Sequence, residues 1–113
     1  MTIVNEITEF AKNLNSIKSL KCLPLSYGTV LNDYSNTLNH MVEQLSKDPD
    51  KLTKDKDFLN KLSSTIDHAY DYILWVEEIL DEKKELKHDK SYKTFKELVF
   101  VVKKSKIKTK IQG

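Results

Sequence analysis

A chain of 113 residues, 39% hydrophobic and 32% charged, is sized for one domain that can bury a core without metal or disulfide staples. Two glycines, two prolines and one cysteine argue against a meander of short strands and against a disulfide scaffold. All 19 basic residues are lysine, so the guanidinium fork that reads guanine edges and clamps phosphate is missing; sequence-specific DNA reading and phosphoryl transfer are correspondingly disfavoured.

The start, "MTIVNEITEFAKNLNSIKSL", carries acids and no run of small apolar residues, unlike a signal peptide. No stretch of about 18 apolar residues signals a membrane span, and the lone Cys22 suits a reducing compartment, so a cytoplasmic location is expected. Over residues 3–20, Val4, Ile7, Ala11 and Leu14 share one helical stripe, with Ile3, Phe10 and Ile17 beside it. "KCLPLSYG" breaks that pattern at Pro24 and Gly28. From Ser26 to Leu45, the residues Leu31, Tyr34, Leu38, Met41 and Leu45 repeat helical spacing, and "SKDPDKLTKDKD" (46–57) reads as a charged loop.

The clearest period follows. Leu59, Leu62, Ile66, Ala69, Ile73, Val76 and Leu80 alternate steps of three and four, the seam of a long helix over 57–87 with Asp57 as its N-cap. In the last segment, Ser91–Lys104, Phe95, Leu98, Val99 and Val102 stand at helical spacing and Ser91 is a candidate cap. "LVFVV" also suits a short strand, but an isolated strand would lack a partner, so helix is favoured. The expected fold is therefore all-α: a single-domain, up-down-up-down four-helix bundle over residues 1–104, followed by a basic tail, 105–113.

That tail, within "VVKKSKIKTKIQG", alternates Ile107, Thr109 and Ile111 with Lys106, Lys108 and Lys110. A short strand, a disordered polybasic arm and a solvated end all fit the pattern. Charge is unevenly spread along the chain. Residues 57–90 hold 5 lysines and 9 acids, whereas residues 91–113 hold 7 lysines and 1 acid. The simplest account is internal, a basic last segment lying against an acidic third one.

Little in the sequence resembles catalytic chemistry. His40 with Glu43 and His68 with Asp71 lie off the apolar stripes, whereas a metal site in a bundle needs ligands that project inward. Ser64, His68 and Asp71 occupy successive turns of one helix, whose bonded amides leave no oxyanion donors. Cys22 with His40 has no supporting local signature, and His88 has no candidate partner. Glu77, Glu78 and Asp81 resemble half of the magnesium-binding acidic set of all-helical nucleotide pyrophosphatases. The Glu-x-x-Glu pair that would complete it is absent from "HMVEQLSKD", which supplies only Glu43. No metal, cofactor or enzymatic activity is expected.

Surface chemistry remains. "YDYILWVEEIL" (70–80) is apolar beyond its seam, which makes Tyr70, Tyr72, Leu74 and Trp75 candidate contacts for a protein partner. In size, lysine-rich composition and helix number the chain resembles bacteriocin immunity proteins, and equally small helical proteins of phages and mobile elements. The resemblance implies an inhibitor, immunity factor or accessory subunit. The alternative is nucleic-acid binding through Lys93, Lys96, Lys103, Lys104, Lys106, Lys108 and Lys110, which could also meet an anionic membrane surface. The heptad seam would equally serve a homodimer.

Overall fold

Hydrophobic residues recurring every three or four positions fold this chain into five helices and two single turns, in a computed structural model that describes residues 3–112. They are α1 (Ile3–Lys18), α2 (Leu25–Lys47), α3 (Lys56–Asp81), α4 (Lys90–Lys104) and α5 (Ile107–Gln112), with turns at Lys51–Lys54 and Lys84–Leu86. There is no strand among the described residues. The all-helical class is as expected, but the helix count is five and not four. Met1, Thr2 and Gly113, at the outer ends of the two expected segments, lie outside the described residues.

The first two helices form a hairpin. Ile7, Phe10, Ala11, Leu14 and Ile17 of α1 face Leu31, Leu38, Met41 and Leu45 of α2 across the core. One polar bond crosses this pairing inside the core, from the buried Ser35 hydroxyl to the Ala11 carbonyl at 3.2 Å. Nearer the connection, Lys18 donates to the Asn32 side chain. A Cβ at Gly28 would stand 3.1 Å from the Lys18 carbonyl, so glycine is what lets α2 begin so close to the end of α1.

α3 buries the expected seam, Leu62, Ile66, Ala69, Ile73, Val76 and Leu80, and begins it with Phe58 in place of the half-buried Leu59. The cap is Asp55, not Asp57: its carboxylate accepts the Phe58 amide at 3.1 Å, three residues on, where a first-turn donor needs an acceptor. The helix stops at Asp81, short of 87. Glu77, Glu78, Asp81 and Glu82 crowd negative charge onto a C-terminus that already carries the negative end of the helix dipole. Lys83 and Lys84, which would relieve it, follow only after the last helical turn has ended.

α4 is a helix, as favoured, and buries Phe95, Val99 and Val102. Its cap is Asp89, whose carboxylate accepts the Ser91 and Tyr92 amides at 2.8 and 3.3 Å. Ser91 does other work, accepting the Cys22 amide at 2.9 Å and so tying the first loop to the start of α4.

The tail is neither strand nor solvated end. Ile107–Gln112 forms α5, and Ile107 (1% exposed) and Ile111 are part of the core. Residues four apart share a helical face just as residues two apart share a strand face, so both isoleucines point inward under either period. What decides for helix is the place they fill: α5 packs against α1 and α3, while α1 packs on α2 and α4, and α3 on α2 and α4. The molecule measures 49 × 23 × 21 Å.

Candidate functional site

The acidic and basic segments of the chain meet across α3. Glu77, whose side chain is only 10% exposed, accepts from Lys96 at 2.9 Å and pairs with Lys103 at 2.8 Å. Lys96 also reaches Asp81 at 3.1 Å. One end further along, Lys108 stands 3.1 Å from Asp67 with its ammonium over the Tyr70 ring, and Lys110 pairs with Glu6 of α1. Burial alone would raise the Glu77 carboxyl, but hydrogen bonds from Lys103 and Lys96, with both positive charges, hold it below its ordinary value. Lys96 shifts the other way. Burial would lower it, and Glu77 and Asp81 outweigh that and hold the ammonium above its ordinary value.

Of the seven lysines considered for nucleic acid, four, Lys96, Lys103, Lys108 and Lys110, are thus engaged with carboxylates of this same chain. Lys104 lies over the Phe100 ring, 4.4 Å from its centre. Lys93 and Lys106 are exposed and carry no ion pair among the described residues.

The four candidate partner contacts divide between two sides of α3. Tyr70 lies beneath Lys108, and the half-buried Leu74 follows one turn later on the same helical face. Tyr72 and Trp75 instead turn towards α2, where they meet Tyr34 of the expected apolar stripe and Tyr27, which lies outside it. Tyr27 stands edge-on to Tyr72 and to Trp75, with ring centres 6.3 and 5.6 Å apart, and Tyr34 stands 6.2 Å from Tyr72. Tyr72 and Trp75 are themselves 5.6 Å apart. Burial, and then the neighbouring Tyr27 and Tyr34 phenols, push the Tyr72 hydroxyl above its ordinary value. Trp75 remains 48% exposed at the edge of this cluster. The signal for Tyr27 is its seven-residue step to Tyr34, which sets both on one face of α2.

No protein family, curated protein or solved structure matches this chain.

A second apolar area lies on α4, where Phe100 (56% exposed) and Val101 border a recess of about 300 Å³ that is completed by Glu6, Glu9, Phe10 and Asn13 of α1. Other groupings do not assemble. His68 and Ser64 lie on the exposed side of α3 with Asp71, and His40 is an exposed residue 4.0 Å from Glu43. Cys22 is held beside Ser91, whereas His40 borders Phe58 and Lys61 towards the other end of α2. His88 is exposed, and Glu77 is committed to lysines. Among the described residues, no group of three or more His, Cys, Asp or Glu side chains could hold a metal ion. No helix among them is long and apolar enough to cross a membrane.

Proposed function

We propose that this chain is a non-enzymatic helical module that binds another protein through the Trp75 side of α3, acting as an inhibitor, immunity factor or accessory subunit. The framework is read as an up-down-up-down arrangement of α1 to α4, with α5 laid against α1 and α3. The observation that carries the proposal is Trp75 itself. A large ring half in water, braced edge-on by Tyr27 and packed on Tyr72, offers apolar contact area that is already ordered. An ordered aromatic loses little further freedom on association, which is why such rings dominate binding energy at interfaces.

The use of the lysines supports the same reading. If nucleic acid or an anionic membrane were met through the seven C-terminal lysines, only Lys93, Lys104 and Lys106 would be free to do it, since the other four are held by carboxylates. Three cations spread over α4 and its end make a thin electrostatic footprint.

Capture of partners from the native host by wild-type chain and by Trp75→Ala tests the proposal. The variant keeps its helical fold, because half of the ring is already exposed, and loses at least about tenfold in affinity for the captured protein, as expected for an anchoring aromatic. A folded Trp75→Ala chain that retains wild-type affinity contradicts the proposal. A homodimer on this face would show as self-association abolished by the same substitution.

A further inference from the structure

α3 carries carboxylates on two sides, and the two sets are treated differently. Asp67, Glu77 and Asp81 face α4 and α5 and are each paired with a lysine. Asp71, Glu78 and Glu82 lie on the adjoining ridge, turned further from the core and exposed, in steps that put them on one stripe with Trp75. None of these three takes part in an ion pair or a side-chain hydrogen bond among the described residues. Asp71 is one turn before Trp75 and Glu78 one turn after it, with Cβ atoms about 5–6 Å away at such spacings.

That placement constrains what can cover the indole. A partner that buries Trp75 must also take water from the carboxylates on either side of it, and a carboxylate desolvated without a counter-charge is strongly unfavourable. A purely apolar partner is therefore a poor fit, and an acidic one is worse. The matching group is a planar cation that can lie on the indole and hydrogen-bond a carboxylate at once, as a guanidinium does. We infer that the Trp75 ridge of α3 is a docking surface for an arginine-bearing apolar segment of another protein, with the guanidinium held over Trp75 between Asp71 and Glu78. The inference rests on the docking reading given above and adds the chemistry of the partner. A second copy of this chain does not meet the requirement, because it contains no arginine.

Trp75 is the only tryptophan, so its emission reports this ridge alone. The probe is a capped peptide of alternating arginine and leucine, titrated at about physiological salt beside the same peptide with citrulline, the neutral isostere, at every arginine. The arginine peptide should shift the emission saturably and bind at least about tenfold more tightly than the citrulline peptide, the size of effect that loss of a charge-assisted contact carries. Asp71→Asn with Glu78→Gln, both exposed and so neutral to folding, should erase most of that preference, while Asp48→Asn, at the far end of α2, should not. Equal binding of the two peptides, no saturable shift, or an unchanged preference in the double variant overturns the inference. So does an emission shift produced by concentrating the protein alone, which would assign the ridge to a second copy. If the arginine preference fails while Trp75→Ala still abolishes capture of a host protein, only the partner chemistry falls. If Trp75→Ala leaves capture intact, the docking reading itself falls.

Discussion

Glu77 is the residue on which the charge arrangement turns. Its carboxylate is nearly enclosed and takes two ammonium groups, each of which keeps contact with water. Because the lysines remain partly solvated, the pairing is worth less than a fully buried one and more than a surface pair. Glu77→Ala should lower stability by about 1–2 kcal/mol in urea unfolding, the range for charge-assisted hydrogen bonds reduced by the water around both lysines. The pH dependence has a definite sign. The folded Glu77 carboxyl sits below its unfolded value, so its contribution is complete above the ordinary carboxylate range and is lost as pH falls through the folded value. Lys96 is held above its unfolded value, so its contribution is complete at neutral pH and is lost only as strong alkali titrates the folded ammonium. The stability gap between wild type and Glu77→Gln should accordingly be constant near neutrality and close below about pH 4. A gap that persists unchanged in acid would contradict the assignment. In the sequence, Glu77 resembles part of a metal set, since spacing along one helix cannot show that Lys96 and Lys103 lie across from it.

At the scale of elements, α5 is the decisive case. Ile107→Ala should cost about 2–4 kcal/mol, as large-to-small changes in a core do, whereas the exposed Thr109→Ala should stay within about 0.5 kcal/mol. Equal, small effects at both positions would return this segment to a loose tail. The long helices were legible from periodicity because six buried positions in α2 and seven apolar ones in α3 agree on one face, and a single misfit such as Leu59 for Phe58 does not alter the frame. Six residues carry no such redundancy. Ile107 and Ile111 satisfy a two-residue and a four-residue period together, and only the surface offered by α1 and α3 separates the two. Helix ends were blurred for a related reason: Asp55 and Asp57 are both capping residues, and which of them caps depends on where Phe58 is buried. The aromatic cluster was half legible. Tyr72 and Trp75 stand out in α3, while Tyr27 and Tyr34 join them only once α2 is folded alongside.

Over the whole molecule, a net charge of +2 is what remains after an acidic helix and a basic C-terminal segment have largely answered one another. The consequence for polyanions is quantitative. With three of these seven lysines unpaired, binding to duplex DNA through the C-terminal segment should weaken with salt on a log–log slope no steeper than about −3, against about −6 if all seven were free to contact phosphate. A slope near the steeper value that falls back when Lys96 and Lys103 are replaced would mean that the internal pairs open in favour of nucleic acid. The outward-facing chemistry that is left is aromatic and acidic around Trp75, and it is there that a partner is expected. The basic C-terminal segment is a structural part of the fold, and urea unfolding of the full chain beside a chain ending at Lys104 puts that to the test. Loss of the buried Ile107 and Ile111, together with the Lys108 and Lys110 pairs, should lower the unfolding free energy by at least about 2 kcal/mol. Coincident unfolding curves for the two chains would contradict it.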